Sequence, residues 1–365
     1  MNNRTLIIDA LIYKKNKAFG YQEFLFNILD YFYIHRMSIL YDKIIIVCDS
    51  SQSSEFKHYL SRFDVLGLNA STKLKQLICQ NRLRNKLHLK DDDMILFTYN
   101  YSSLIKQCKH VLVIHDLLYL RRKLLPVFIM RMQRKLYLPL SIKKADKVIA
   151  ISEFTRKDIL EKFSVKPDKI IKIYNYFNFN KFSDVEDISI DFPFFLCVSS
   201  AEPHKNTLTI IKAFEKFCVS NSNVHLVLVG SLNNTKSDAR IFFEGLDAFV
   251  RNRIHILHHI SNGKLAYLYK NCMAYISATL FEGLGMPIVE AMYFNAPVVL
   301  SDLDVCKEVS SNYGIYFNPK SFGELTFIML DFIGKKIKSD TRAMILEKYS
   351  SNNTSQKYID LLNEL

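Results

Sequence analysis

The 365-residue sequence lacks several features that mark particular classes of protein. It contains no low-complexity stretch and no internal repeat of solenoid period, which excludes repeat and largely disordered architectures. It has no run of about 18 apolar residues, so we expect no membrane-spanning helix. No basic region precedes the short apolar run near the start, so we interpret that run as a first β-strand and not as a signal peptide.

Cysteine pairs are also missing. The seven cysteines stand singly, and several lie in apolar, strand-like runs, as Cys48 does in KIIIVCD and Cys197 does in FFLCVSS. This pattern is typical of buried free thiols in a reducing compartment and not of a disulfide framework or a paired-cysteine zinc site. We therefore expect a cytoplasmic protein.

Short β-branched runs alternate with helical patterns along the chain, which is long enough for two domains. Continuous apolar strands separated by helices are typical of a parallel sheet covered on both faces, so the sequence predicts two consecutive doubly wound α/β domains. The segment 175–193 lacks helical periodicity, and we interpret it as the linker. Ligands of such sheets bind beyond the carboxyl ends of the strands, so we expect a site in a cleft between the domains.

The predicted elements follow this alternation. The strands are 5–9, 43–49, 94–100, 110–116, 147–152, 169–174, 194–200, 225–230, 253–259, 273–278, 297–302 and 314–318. The main helices are 19–33, 70–81, 153–163, 205–218, 237–250, 262–271, 286–294 and 321–334.

The net charge of +13 is unevenly distributed. Residues 1–185 carry 32 Lys+Arg against 17 Asp+Glu, a net of +15, whereas residues 186–365 carry 17 against 19, a net of −2. The first half therefore faces an anionic partner, for which nucleic acid, an acidic lipid surface and a phosphorylated acceptor are candidates.

The strongest basic segment is 118–144, where cations lie beside bulky apolar side chains, as an interfacial membrane helix requires. Its cations are Arg121, Arg122, Lys123, Arg131, Arg134 and Lys135. The alternative is an ordinary amphipathic helix packed on a sheet, since burial explains the leucines equally well and Pro126 interrupts the pattern. Nucleic acid is not expected as a partner, because no recognition signature accompanies the charge.

The segment 277–302 has the order strand, glycine loop, helix start. Gly283 and Gly285 precede a helical pattern, and Pro287 fits its first turn, where a missing N–H has no cost. Free backbone N–H groups and the helix dipole then point at a phosphate. Glu282 in the loop is placed to accept hydrogen bonds from sugar hydroxyls, and Glu290, about one turn into the helix, is placed to reach ribose hydroxyls. Without further context, the same residues would be a turn with one surface and one capping glutamate.

Two further strand ends carry candidate residues. In 197–215 a strand leads into a second helix start, where Lys205 would bring a positive charge to a diphosphate. The alternative is an exposed lysine in a first helical turn. His115 and Asp116 end the apolar strand HVLVIHD. His115 is a candidate to contact a substrate or a structural hydrogen-bonding residue, and Asp116 is a candidate cap of the following segment.

Together these segments resemble the retaining GT-B glycosyltransferases, family 4 in particular. The segment 277–302 is similar to the family pattern S-x-x-E-G-F-G-L-P-x-x-E-A-M-x-x-G-x-P-V, and 197–215 is similar to V-G-x-x-x-P-R-K-N-x-x-x-L-x-x-A-F. The matching residues are Pro203, Lys205, Asn206, Ile210, Ala213, Phe214, Glu282, Gly283, Gly285, Pro287, Glu290, Ala291, Met292, Pro297 and Val298. The resemblance is dense over 194–320 and thin before residue 110.

The resemblance implies a GT-B fold with two Rossmann-like domains facing across a cleft. Residues 1–185 would bind the acceptor, residues 186–336 the nucleotide sugar, and helices within 337–365 would pack back on the first domain. Gly20, in AFGYQEF, is similar to the family's first glycine-bearing loop, which lines the acceptor cleft. The implied catalytic residues are His115, Lys205 and Glu282. The implied donor-binding residues are Ser199, Ser200, Lys205, Asn206, Glu282, Gly283, Leu284, Gly285, Met286, Pro287 and Glu290.

Two departures from the family pattern lie beside Lys205. Ser199 stands where glycine is usual, which narrows backbone approach to a phosphate. His204 stands where arginine is common, which leaves Lys205 as the main cation. No metal is expected. The run Asp91, Asp92 and Asp93 is similar to the D-x-D metal motif of GT-A enzymes only in composition, and we interpret it as a solvated turn before a strand.

The resemblance implies transfer of a hexosyl unit, with retention of configuration, from GDP-mannose or a UDP-hexose to a sugar acceptor. The basic first half suits a polyprenyl-diphosphate-linked acceptor at an anionic membrane, in assembly of O-antigen or capsule on the inner face of the plasma membrane. No cofactor beyond the nucleotide-sugar substrate is expected. The alternatives are a catalytically weak nucleotide-sugar-binding or membrane-scaffolding protein, a nucleotide-sugar epimerase and a glycogen-synthase-like polymerase.

Overall fold

The structure is a computed structural model of the chain. It describes residues 4–15, 20–100, 102–103, 105–106, 108–121, 128–221, 223–232, 237–335, 337 and 339–365, with the side chains of 128–134 outside the description. The chain divides into two compact units, Met1–Phe177 with Tyr349–Leu365, and Asn178–Lys348. The division lies before the boundary at 185/186 that the sequence suggests, because residues from Phe179 onward pack on the second unit.

The described part of the first unit contains a parallel sheet of seven strands in the order β3-β2-β1-β4-β5-β6-β7. Its strands are β1 (Thr5–Asp9), β2 (Lys43–Asp49), β3 (Asp64–Leu68), β4 (Met94–Phe97), β5 (Lys109–Ile114), β6 (Lys147–Ala150) and β7 (Ile170–Lys172). Its first five helices are α1 (Gly20–Ile34), α2 (Lys73–Asn81), α3 (Leu83–Leu87), α4 (Phe128–Lys144) and α5 (Glu153–Lys162). The sheet order reverses between β1 and β4, which makes this the expected ligand edge of the unit.

The second unit repeats the plan with six parallel strands in the order β10-β9-β8-β11-β12-β13 among its described residues. The strands are β8 (Phe194–Ser200), β9 (His225–Ser231), β10 (Ile254–Leu257), β11 (Ala274–Ser277), β12 (Val298–Ser301) and β13 (Ile315–Phe317). The helices are α6 (Thr207–Cys218), α7 (Asp238–Glu244), α8 (Ala248–Arg251), α9 (Asn262–Asn271), α10 (Met286–Tyr293), α11 (Asp304–Ser310), α12 (Phe322–Asp331) and α13 (Arg342–Lys348). Here the order reverses between β8 and β11. The last helix, α14 (Ser355–Glu364), belongs to the first unit.

The central strands are buried on both faces, which explains their continuous apolar sequences. All four residues of β4 and five of the six in β5 are buried. In the second unit, α6 places Ile210, Phe214 and Phe217 on one buried face, at the spacing of an amphipathic helix. The cysteines are free and six of the seven are buried, as predicted.

The sequence did not predict α3, α11 or β3, and it joined α7 and α8. The strand β3 is half-buried and pairs with β2 at one end of the order among the described strands. The predicted helix 237–250 is two helices. Its break falls at Gly245, which ends α7, and at Asp247, whose carboxylate accepts the Phe249 N–H to start α8.

Candidate active site

A pocket lies in the second unit at the point where the order of its sheet reverses. The carboxyl end of β8 and the neighbouring end of β11 form two sides of it, and the loops that follow these strands form the rest. Its described lining consists of Cys197, Val198, Ser199, Lys205, Ile210, Tyr275, Ser277, Ala278, Glu282, Gly285, Pro287 and Ile288. Parallel sheets bind ligands at such positions, so this pocket is the candidate active site.

The start of α10 opens onto the pocket. Gly285 has a φ of +87°, a left-handed conformation that glycine adopts without strain. A Cβ there would lie 3.0 Å from Cδ1 of Ile288, so the glycine also allows close packing. Pro287 occupies the first turn of the eight-residue helix, and Gly283 and Leu284 before it are buried. Pro287 has no N–H, and the Ile288 N–H donates to the Gly285 carbonyl at 3.0 Å, so it is the positive end of the helix dipole that can attract an anion here.

Lys205 and Glu282 meet in the pocket. The Nζ atom of Lys205 lies 2.7 Å from Oε1 of Glu282, and both side chains are largely buried. Burial alone lowers the pKa of Lys205, but the charge of Glu282 and the hydrogen bond to it outweigh this effect and raise the pKa above its ordinary value. Lys205 is therefore charged at neutral pH, and its charge is available to a ligand that replaces Glu282 as its partner.

Asn206 joins the two loops that carry this ion pair. It has a φ of 53° in the left-handed region, and its Nδ2 donates to the carbonyls of Ala278 and Pro319 at 2.9 and 2.7 Å. The backbone N–H of Leu280 donates to the carbonyl of His204 at 2.7 Å. Asn206 therefore orients the loops of the site, and its NH2 group is occupied by backbone carbonyls while its Oδ1 accepts the Thr209 hydroxyl at 2.9 Å.

The hydroxyl of Ser199, the residue that replaces a glycine, belongs to a local chain of hydrogen bonds. Thr207 Oγ1 donates to the carbonyl of Ser200 at 2.7 Å, so the Ser199 hydroxyl, 2.7 Å from Thr207 Oγ1, is the donor in that contact. Ser199 thus links the end of β8 to the first residue of α6.

In the adjacent strand, Gly230 has a φ of +136°, and a Cβ there would fall 1.7 Å from the Ser199 carbonyl oxygen.

Glu290 lies one turn into α10, as predicted, but it is not among the described residues that line the pocket. Its carboxylate accepts hydrogen bonds from Lys181 Nζ at 2.7 Å and from the Tyr269 hydroxyl at 2.9 Å, and its side chain is only 7% exposed. Burial, and then the charge of Glu290, raise the pKa of Tyr269 well above its ordinary value, so that its hydroxyl stays a donor.

In the first unit, His115 follows β5 beside the ligand edge of the sheet. Its Nε2 lies 2.9 Å from the Thr98 carbonyl, and its backbone N–H donates to Oδ1 of Asn100 at 2.7 Å. Burial lowers the pKa of His115 to about 4, although the bond to Thr98 partly opposes this. The ring is neutral at pH 7 with its proton on Nε2, which leaves Nδ1 as an acceptor.

The prediction that Asp116 is a cap is confirmed. Asp116 caps the segment that follows it, because its Oδ1 accepts the N–H of Leu118 at 2.9 Å. Gly20 is the first residue of α1, while residues 16–19 of its loop lie outside the described residues.

The predicted membrane-facing cations are only partly described. Arg122 and Lys123 lie outside the described residues, as do the side chains of Arg131 and Arg134. Arg121 pairs with the buried Asp158 of α5 at 3.0 Å, so its charge partly compensates that of a buried carboxylate. On α4, Lys135 is exposed beside Leu136 and Leu140, which are 61% and 44% exposed.

Within the described ranges, no helix combines the length and apolar character needed to cross a membrane.

The three consecutive aspartates form a turn before β4. Asp93 is buried and its carboxylate accepts the N–H groups of Thr5 and Lys90, both at 2.6 Å. Asp91 pairs with Arg84 at 2.8 Å. Asp93 therefore links the starts of two strands, a structural role that sequence alone does not reveal.

The structure thus brings Ser199, Lys205, Glu282, Gly285 and Pro287 together around one pocket. A charged ammonium group and a helix start on that pocket can hold a diphosphate, and the nearby carboxylate can accept hydrogen bonds from a sugar. The sequence did not indicate Lys181 and Tyr269, whose side chains donate hydrogen bonds to the carboxylate of Glu290. Neither residue belongs to a motif, and neither is a near neighbour of Glu290 in the sequence.

Family models match most of the chain. Residues 178–333 match the model described as glycosyl transferases group 1, and residues 41–181 match the model described as glycosyltransferase family 4. The two matches overlap at residues 178–181, beside the boundary between the units.

Curated relatives match over part of their length. The chain is 30% identical over 192 residues to the O-antigen chain mannosyltransferase RfbU of Salmonella typhimurium, covering 53% of this chain and 52% of that protein. It is 24% identical over 240 residues to the serotype-specific mannosyltransferase WbdA of Escherichia coli, covering 60% of this chain and 29% of that protein. The chain therefore spans about half of the first relative and less than a third of the second.

Solved structures match over nearly the whole chain. Anabaena HepE, in complex with UDP and glucose, has a TM-score of 0.73 at 17% identity, with 99% of this chain and 100% of that chain covered. The lipopolysaccharide outer core galactosyltransferase WaaB has a TM-score of 0.68 at 14% identity, with 99% and 100% covered. These similarities confirm the predicted fold class, two parallel-sheet units of the GT-B type.

Proposed function

This chain belongs to glycosyltransferase family 4, and from that premise we propose that it transfers a hexosyl unit from a nucleotide-diphosphate sugar to a sugar acceptor. The observation that carries the proposal is the meeting of Lys205 with Glu282 beside the start of α10. Two independent sources of positive potential, an ammonium group and a helix start, converge on one small pocket.

In the proposed reaction the donor diphosphate takes the place of Glu282 as the partner of Lys205. The bond from the anomeric carbon to the diphosphate breaks as a bond from that carbon to an acceptor hydroxyl oxygen forms, and the hydroxyl proton passes to the departing diphosphate. Lys205 and the positive end of the α10 dipole stabilise the negative charge that grows on the leaving oxygen. Glu282, released from Lys205, accepts hydrogen bonds from the sugar, and Glu290 accepts them from the ribose. Transfer with retention of configuration and without a metal follows from the family pattern.

His115 is proposed to accept a hydrogen bond from a sugar hydroxyl at its Nδ1. The Thr98 carbonyl fixes the proton on Nε2 and so decides which ring nitrogen accepts. Because burial keeps the pKa of this histidine at about 4, its accepting nitrogen stays available throughout the physiological range of pH.

The donor is proposed to be GDP-mannose or a UDP-hexose. The names of the relatives RfbU and WbdA favour mannose, and the complex of HepE with UDP favours a uridine donor. A thermal-shift panel of GDP, UDP, ADP and their sugars tests this, since a ligand that binds only the folded protein raises its melting temperature. We expect one base to stabilise the protein, and no shift with any of them would refute the proposal.

Transfer itself is tested with the sugar nucleotide that binds. Mass spectrometry of a mixture with short mannose or hexose oligosaccharides should show a product heavier by one hexose, or slow donor hydrolysis in their absence. Binding without either product would favour the alternative, a nucleotide-sugar-binding protein with weak catalysis. The observation that favours this alternative is that Lys205 already has Glu282 as a charged partner within the protein.

The acceptor is proposed to be a glycan linked to polyprenyl diphosphate at an anionic membrane. Support comes from the net charge of +15 over residues 1–185, from the exposed Lys135 beside Leu136 and Leu140, and from a Campylobacter jejuni relative named as acting on a diphospho-undecaprenol sugar. That relative is 24% identical over 243 residues, covering 62% of this chain and 63% of that protein.

Co-sedimentation with vesicles that contain anionic lipid tests the membrane contact. We expect binding at low salt that weakens as salt is added, because the attraction of surface charges is screened. A Leu136→Ser, Leu140→Ser variant should bind the vesicles less. Equal binding to neutral vesicles, or none to anionic vesicles, would refute the contact.

A further inference from the structure

Lys181 lies in the short 3-10 turn Phe179–Phe182 that begins the second unit, outside every motif of the sequence. We propose that Lys181 is a positioning residue of the donor site, which fixes the carboxylate of Glu290 so that it meets the ribose hydroxyls of the nucleotide. This inference rests on the proposed function, because it concerns how the same site holds its nucleotide.

The contacts of Glu290 are specific for each carboxylate oxygen. Lys181 Nζ donates to Oε1 at 2.7 Å, and the Tyr269 hydroxyl donates to Oε2 at 2.9 Å. A carboxylate has about four lone-pair directions. These partners on different oxygens hold the plane of the carboxylate in one orientation.

Burial makes Lys181 the more important of these two partners. The side chain of Glu290 is 7% exposed and that of Lys181 is 20% exposed. A carboxylate removed from water needs a compensating charge, and a neutral hydroxyl supplies none. Lys181 therefore supplies the compensating charge and holds the carboxylate of Glu290 in one place before a ligand arrives.

Aromatic contacts hold the turn that carries Lys181 against the end of α10. The ring of Phe179 stacks on that of Tyr293 with centroids 4.2 Å apart, and the rings of Phe182 and Phe294 meet edge to face at 5.3 Å. Nζ of Lys181 also lies over the Phe182 ring, 4.8 Å from its centroid. Packing of the turn thus restricts where the flexible side chain of Lys181 can lie, as preorganisation of a binding group requires.

The test measures how much each ribose hydroxyl contributes to the affinity of the protein for a nucleotide. GDP, UDP and their 2′-deoxy and 3′-deoxy forms are titrated into the full chain by calorimetry. In the wild-type protein we expect removal of a contacted hydroxyl to weaken binding about tenfold, the loss of one hydrogen bond to a charged group. In Lys181→Met this penalty should fall to about twofold or less, while Lys181→Arg should restore it.

A double variant separates positioning from folding. If Lys181 acts through Glu290, Lys181→Met should weaken nucleotide binding no further in a Glu290→Gln background, where the charge to be held is gone. This background also removes the unpaired buried charge by which the single variant would lose stability. Lys216→Met, at an exposed lysine on α6, is the matched control and should bind as the wild type does.

The outcomes distinguish the two proposals. A nucleotide that binds with an unchanged deoxy penalty in Lys181→Met, or additive losses in the double variant, overturns the role of Lys181 and leaves the proposed function intact. Failure of the wild-type protein to bind any nucleotide refutes the proposed function, and this inference with it.

Discussion

Lys205 is the residue whose chemistry the proposed function most requires. Its ammonium group lies 2.7 Å from Glu282 and is charged at neutral pH. We expect Lys205→Ala to reduce the rate of transfer by about 2 to 4 kcal/mol of transition-state stabilisation, the range known for loss of one preorganised donor. Steady-state assays of donor turnover measure this.

The control for Lys205 is Lys216→Ala, which removes an exposed lysine from the same unit. It should leave turnover unchanged. Full turnover in Lys205→Ala would remove this lysine from the mechanism and would leave the helix start as the only proposed source of positive potential.

His110 gives a prediction for stability against pH. It is fully buried in β5, and neither ring nitrogen has a hydrogen-bond partner among the described residues. Burial, and then the charge of Lys106, lower its pKa from 6.5 to about 4. Between pH 6.5 and about pH 4 the histidine takes up a proton in the unfolded chain but stays neutral in the folded chain. The free energy of unfolding therefore falls as pH falls through this range, by up to about 3 kcal/mol.

We expect His110→Leu to lose less stability between about pH 7.5 and about pH 5 than the parent does, by roughly 2 kcal/mol in urea unfolding. Burial also lowers the pKa of His115, and burial raises the pKa of Asp9 to about 6, which acts in the opposite direction. Both groups remain in the variant, so the difference from the parent isolates His110. His88→Asn, at an exposed histidine, should keep the parent's pH dependence.

At the scale of the element, the join between β8 and β9 depends on one glycine. A Cβ at Gly230 would lie 1.7 Å from the carbonyl oxygen of Ser199, and its φ of +136° disfavours other residues. We expect Gly230→Ala to lower the free energy of unfolding by more than about 3 kcal/mol and to displace the end of β8 that lines the pocket. Thermal unfolding with and without nucleotide should show both effects.

Gly323→Ala is the matched control. This glycine lies in α12, where an added Cβ meets nothing within 4 Å. Alanine should stabilise the helix by about 0.5 to 1 kcal/mol. If both alanine variants behaved alike, the close approach of Gly230 to Ser199 would not be the cause.

The sequence predicts those elements whose signals are local. Apolar strands ending at a glycine loop place Glu282, Gly285 and Pro287 at a helix start, and the structure has that helix at Met286–Tyr293. The strand β3 escaped prediction because Asp64 and Gly67 weaken its pattern and it lies half-buried. Local signals therefore predict the glycine loop and helix start of the pocket but not every strand of the fold.

Contacts between distant segments could not be predicted from the sequence. Lys181 meets Glu290 only because a turn packs on α10 across more than a hundred residues of chain. Asn206 matches a family motif, but its bonds to the carbonyls of Ala278 and Pro319 are visible only in the structure. The roles of His115 and of the donor-binding residues in the reaction remain predictions.

For the whole molecule, the last seventeen residues, Tyr349–Leu365, belong to the first unit. Tyr349, Tyr358 and Leu362 are fully or almost fully buried, and the Tyr41 hydroxyl donates to the Leu362 carbonyl at 3.0 Å. We expect a chain ending at Lys348 to lose stability in the first unit and to keep a folded second unit. Limited proteolysis with mass spectrometry should show a surviving fragment close to Asn178–Lys348.

The variant Tyr358→Ala is a milder form of the same test. It removes a buried ring and should cost the first unit about 3 to 5 kcal/mol. Equal proteolysis of both units in the shortened chain would contradict the division of the molecule.

The return of the chain to its first unit has a consequence for biosynthesis. A ribosome releases most of the first sheet early, but the residues that complete its core, Tyr349 to Leu365, emerge only after the whole of the second unit. Asn178–Lys348 emerges as one uninterrupted stretch. The unit that is translated second is therefore the one that can finish folding first, and the nascent first unit must be kept from aggregating until Tyr349–Leu365 have been made.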